Sequence, residues 1–85
     1  MSLVITKEVA KAAVRAELVQ LDGDPKPWWE SKLLCAIEAI RRGDHNIALD
    51  HVFELRRGPT IEQAAMPADR PLLTRKRLQS MLDVL

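Results

Sequence analysis

The sequence predicts an all-α fold, a small bundle of four to five helices built around a central helical hairpin. Three observations lead there. Apolar residues recur at spacings of three and four through several long segments, and on a helix of about 3.6 residues per turn such positions line one broad face. Breaks rich in glycine, proline and aspartate, at 22–27, 43–44, 58–59 and 67–71, separate those segments. The segment 28–57, two amphipathic arms joined at Gly43–Asp44, holds both tryptophans, the only phenylalanine, the only cysteine and both histidines, which makes it the expected core.

The 85 residues are read as one domain, 1–85. Residues 1–5 are apolar but too short for a helix. Thr6 suits an N-cap and Glu8 a first turn, where a carboxylate favours the dipole, so the first helix is expected over 7–21. Its apolar set is wide: Val9, Ala10, Ala12, Ala13, Val14, Ala16, Leu18, Val19 and Leu21. Lys7, Lys11 and Arg15 recur at i, i+4, i+8 and are expected to form its exposed strip.

Gly23 and the prolines of 22–27 end that helix and set the start of the next, expected over 27–42 with Pro25 or Pro27 in its first turn. Trp29, Leu33, Ala36, Ile37 and Ile40 form its main face. Glu30, Glu38 and Arg41 fall on the other side, and Glu38 with Arg42 makes a favourable i,i+4 pair. Adjacent helical residues point about 100° apart, so Trp28 is either a second-layer packer or an anchor for a partner, a role in which tryptophan is enriched.

Gly43 after two arginines is a helix stop, and Asp44 suits the N-cap of a third helix over 45–57. Ala48, Leu49, Val52, Phe53 and Leu55 are its expected buried face. Thr60 to Gln63 spells a capping box, T-x-x-Q, opening a short helix over 61–66. The last helix is expected over 73–84, opening near Leu72 or, with Thr74 as its cap, at Arg75, with Leu78, Met81, Leu82 and Leu85 on one side. Arg70, Arg75, Lys76 and Arg77 form the most basic cluster, with no acid in 70–82.

The hairpin resembles a tetratricopeptide repeat in Ala36, Ala48, the Gly43–Asp44 turn and Pro59. The resemblance covers one repeat, with no second copy at a period of about 34 residues. It therefore implies a generic helical hairpin, since a solenoid needs neighbouring repeats to bury its faces. The tail 72–85 resembles the first helix of excisionase- or MerR-type helix-turn-helix domains in Thr74, Leu78, Leu82 and Val84. Asp83 stands where that family has a turn glycine, and without a recognition helix the tail has no groove-reading element.

Composition excludes more than it selects. Thirteen basic and twelve acidic residues give a net charge of +1, so nothing global argues for nucleic acid or a membrane surface. One cysteine leaves no internal disulfide and no cysteine-rich zinc site. No basic leader with an apolar run opens the chain, and no window reaches the roughly 18 apolar residues of a spanning helix. A cytoplasmic protein is expected, with no cofactor and no metal. His45 and His51 lie on different sides of one helix, and Cys35 lies mid-helix in an apolar context where a thiol is inert packing. There is no phosphate loop, dinucleotide fingerprint, nucleophile elbow or H-E-x-x-H.

The expected function is therefore a non-enzymatic interaction or regulatory module that binds a protein partner, or a second copy as a homodimer. Trp28, Leu78, Met81, Leu82 and Leu85 are its expected contacts, with the Arg75–Arg77 cluster guiding an acidic partner. The alternative is a nucleic-acid-binding accessory protein using Lys7, Lys11, Arg15, Arg75, Lys76 and Arg77, and it requires the two basic groups to share one surface.

Overall fold

Thr6 starts the first helix as its hydroxyl predicts: Oγ1 accepts the Val9 N–H at 3.2 Å, satisfying one of the orphan donors of the first turn. In the computed structural model, which describes residues 4–85, α1 (Lys7–Gln20) is followed by α2 (Pro27–Arg41), α3 (His45–Arg57), α4 (Ile61–Ala64) and α5 (Arg75–Asp83). Of the apolar arm 1–5, residues 1–3 lie outside the described residues; Ile5 packs against the core.

Each boundary follows from local chemistry. Pro27 occupies the first helical position of α2, where its missing N–H costs nothing and its φ is already helical. Gly43 takes φ +86 after α2, and its N–H donates to the Ile40 carbonyl while that of Asp44 donates to Ala39. Asp44 sits at the N-cap of α3 but makes no side-chain cap bond; its carboxylate accepts from Arg42 Nε at 3.3 Å instead. Arg42 is therefore not paired with Glu38, whose partner is Arg41 at 3.4 Å. The capping box at Thr60 is complete, with Gln63 N–H on Thr60 Oγ1 and Thr60 N–H on Gln63 Oε1. The helix it opens ends at Ala64, short of 66. Thr74 caps α5 by accepting the Arg77 N–H, so α5 begins at Arg75.

Two contacts fix the direction of α3 against α1. The Ile5 carbonyl meets His45 Nδ1 at the start of both helices, and Glu17 meets Arg56 at their ends, so the two run parallel. The ion pair of Lys32 with Glu54 joins the start of α2 to the end of α3, making α2 antiparallel to both. Arg15 with Asp83 and Lys11 with the Leu85 carbonyl set α5 antiparallel to α1. α1 and α2 thus form a central pair, with α3 packed on both and α5 packed on both. Helix-on-helix packing is the whole architecture of the described residues, a helical bundle with extents of 41 × 26 × 21 Å.

The core takes Ala10, Val14 and Leu18 from α1 and Leu33, Ala36, Ile37, Ala39 and Ile40 from α2. Ala48 and Val52 from α3 and Leu78 and Leu82 from α5 complete it. Each fully buried leucine or isoleucine contributes about 1.5–3 kcal/mol relative to exposure, and the alanines let the helix axes approach. Trp28 is the buried tryptophan, packed edge-on to Trp29 with ring centroids 5.3 Å apart, whereas Trp29 is only half-buried. The expected order of the two is reversed. The first turn of α2 is covered by the α1–α2 connector, where Pro25 is itself buried, and by the chain from Arg70 to Leu73.

Three other expectations of burial are corrected. Phe53 is exposed, because α3 turns Ala48 and Val52 inward and Phe53 points about 100° around the helix from Val52. Val9, Ala12, Ala16 and Val19 are exposed too: α1 packs against α2, α3 and α5, and among the described residues nothing lies on its remaining, apolar side. Cys35 is exposed rather than packed.

Candidate functional site

The C-terminal stripe divides in two. Leu78 and Leu82 are fully buried in this chain's own core, and Trp28 is buried with them. None of the three offers a surface to a partner: α5 packs its stripe onto α1 and α2 in cis, and Trp28 is covered in the first turn of α2. Met81 and Leu85 are only half-buried. They line a groove of about 310 Å³ between α2 and α5, together with Ile37, Ser80, Val84 and two arginines, Arg41 and Arg77. Ile37 is buried at the base, and Val84 is 83% exposed at the rim.

The basic residues divide in the same way. Lys11 is buried and donates from Nζ to the Leu85 carbonyl at 3.1 Å. Arg15 pairs with Asp83 at 3.0 Å. Arg75 donates from its side chain to the Leu21 carbonyl, while its backbone N–H donates to Asp24. Lys11 and Arg15 of the i, i+4, i+8 row therefore form a seam against α5 rather than a solvent strip, Lys11 on the carbonyl just beyond the end of α5 and Arg15 on the Asp83 carboxylate. Lys7, Lys76 and Arg77 are exposed, and among the described residues they join no ion pair.

One polar centre went unrecognised in the sequence. Glu30, expected to face solvent, is wholly buried near the start of α2. Arg70 grips it with both guanidinium nitrogens, Nη1 to Oε2 at 2.7 Å and Nη2 to Oε1 at 2.8 Å, and Leu73 N–H adds a third bond at 3.1 Å. The Arg70 hydrogen bonds hold the Glu30 carboxyl below its ordinary range against the opposing effect of burial, with the Leu73 N–H assisting. The only signal in the sequence is a carboxylate in a first helical turn, which the dipole already explains. Nothing local joins it to an arginine 40 residues away.

Cys35 and His51 line one shallow pocket with Leu34, Glu38 and Arg42. His51 Nδ1 stands 4.0 Å from Glu54 Oε2, and Glu54 is itself committed to Lys32, whose hydrogen bond lowers its pKa. Among the described residues no three His, Cys, Asp or Glu side chains gather as metal ligands would. Among the described residues no helix is long and apolar enough to cross a membrane. Comparisons with protein-family models, with curated proteins and with solved structures find no match for this chain.

Proposed function

We propose that the chain is a non-enzymatic interaction module that binds a protein partner in the α2/α5 groove. The observation that carries this reading is the composition of the groove. Met81, Val84 and Leu85 present apolar surface over Ile37, and Arg41 and Arg77 stand beside them. An amphipathic helix with two or three apolar anchors and flanking carboxylates complements that surface, burying its anchors while the arginines meet its acids. Arg77 is the part of the basic cluster that supports acidic recognition, since Arg75 is committed within the fold.

The test is an NMR titration of the isotopically labelled protein with a designed Leu/Glu amphipathic helical peptide. A parallel anisotropy titration uses generic duplex DNA at about 50 and 200 mM salt. The reading expects peptide-induced shifts concentrated at Ile37, Met81, Val84 and Leu85 that Val84→Asp and Arg77→Glu abolish. Peptide shifts scattered over the molecule, or shifts indifferent to both variants, refute the groove. DNA binding with a steep salt dependence would favour the nucleic-acid reading through Lys7, Lys76 and Arg77.

A further inference from the structure

Among the described residues, the fourth side of α1 carries no neighbour and no charge at its centre. Val9 and Val19 are 52% and 67% exposed, with the exposed Ala12 and Ala16 between them. The spacing of the four is symmetric about Val14. Phe53, 62% exposed, lies on α3, which packs on α1. The parallel register of α3 on α1 starts with an offset of 40 residues at His45 and Ile5 and is nearly unchanged where Arg56 meets Glu17. Phe53 therefore stands level with the middle of α1, one turn from Asp50 on one side and from Arg57 on the other. Asp50 and Arg57 are both exposed, and among the described residues neither joins an ion pair.

From this arrangement we infer that a second copy of the chain covers the α1 face, as a twofold dimer with the two α1 helices antiparallel across it. A twofold axis at the level of Val14 sets Val9 against Val19 of the second copy and Ala12 against Ala16. The same axis brings Phe53 toward its own symmetry mate and Asp50 level with Arg57, twice in each dimer. Glu8 falls level with Gln20, so the pairing opposes no like charges at these positions. The alanines allow close approach at the centre, and the valines and phenylalanines supply apolar area around it. An isologous interface requires one patch to complement itself under a twofold rotation. This patch does so in the spacing of its apolar residues and in charge. The inference is independent of the α2/α5 groove, whose residues it does not use.

Sedimentation velocity on the full chain, at protein concentrations from about 1 to 100 µM, tests it. The wild type is expected to approach twice its 9.6 kDa mass as concentration rises. Ala16→Glu and Phe53→Asp, both at exposed sites, are expected to sediment as monomers with an unchanged helical circular dichroism spectrum. Asp50→Arg and Arg57→Asp should each weaken the dimer about tenfold by setting like charges together. The double exchange Asp50→Arg with Arg57→Asp should restore it, a result that reports this pairing and not general surface charge. A wild type that stays monomeric throughout overturns the inference. So does a dimer that Ala16→Glu leaves intact, or a double exchange no tighter than either single variant.

Discussion

Arg70 and Glu30 make a two-pronged ion pair, at 2.7 and 2.8 Å, in which the carboxylate is wholly buried and the guanidinium is half in solvent. With the Leu73 N–H it ties the chain just before α5 to the first turn of α2. The pair therefore decides where α5 begins its run over α1 and α2. Removing the arginine leaves a buried carboxylate with one remaining hydrogen bond, a larger penalty than neutralising the acid in place. Arg70→Ala is expected to lower Tm more than Glu30→Gln, which costs about 1–2 kcal/mol because the amide keeps part of the hydrogen bonding. Thermal unfolding followed by circular dichroism checks the order. Equal losses would mean that the arginine gives the carboxylate no more than a neutral partner could.

The same pair sets an acid limb on stability. The Glu30 pKa is lowered in the folded chain from an ordinary 4.5, chiefly by Arg70, so the folded state binds this proton less readily than the unfolded chain. The stabilisation is complete above about pH 4.5 and is lost as pH falls through the lowered folded value. Glu54, lowered by Lys32, acts in the same sense. Urea midpoints measured between pH 6 and 3 should fall for the wild type and fall less steeply for Glu30→Gln. Parallel curves would assign the acid limb to other carboxylates.

What the sequence disclosed and what it hid have different physical origins. Caps and stops depend on residues within a few positions of one another, so Thr6, Thr60 with Gln63, Thr74, Pro27 and Gly43 could be read directly. The helical period located Leu33, Ala36, Ile37 and Ile40 for the same reason. Burial depends on which side of a helix finds a neighbour. α1 is apolar around most of its circumference, so its period could not say that Val9 and Val19 would face out while Lys11 was covered. The C-terminal stripe was visible as a stripe, but whether Leu78 and Leu82 filled this core or a partner's depended on how α5 docks. That docking is fixed by Glu30, Arg70 and Asp24, across contacts of 40 and 51 residues in the chain.

Leu82 and Val84 stand two residues apart and should respond in opposite ways. Leu82 has no exposed surface, and Leu82→Ala removes its packing and leaves a cavity, at a cost of about 2–5 kcal/mol. Val84→Asp at the groove rim should leave the unfolding midpoint close to that of the wild type. Guanidinium titrations distinguish the two. A strongly destabilised Val84→Asp would place that residue inside the packing and remove the groove as a free surface.

Gly43 owes its residue type to its backbone alone. A Cβ there would meet nothing within 4 Å, yet φ is +86, a region where a side chain crowds its own backbone. Gly43→Ala should therefore cost about 1 kcal/mol through backbone strain, and Gly43→Asn less, since asparagine tolerates left-handed conformations better. Denaturant midpoints of the two variants give the comparison. Equal midpoints would show that the turn relaxes to negative φ without loss.

Lys7 and Lys11 have the same residue type on the same row of α1, one turn apart, and the fold gives them different work. α5 runs antiparallel beside α1 and ends at Lys11, whose Nζ satisfies the Leu85 carbonyl. Such a carbonyl near a helix end has no partner within the helix, and a charged donor suits the negative end of the dipole. Lys11→Met keeps the packed stem and removes only the donor, so it should cost about 1–2 kcal/mol. Lys7→Met lies at an exposed position that joins no ion pair among the described residues and should leave the midpoint unchanged. Urea unfolding of both variants at low and high salt separates the contributions, because a partly buried hydrogen bond is screened less than an exposed charge. If Lys11→Met matches Lys7→Met, the α1–α5 seam is held by Leu78, Leu82 and the Arg15–Asp83 pair alone, and Lys11 is free to act elsewhere.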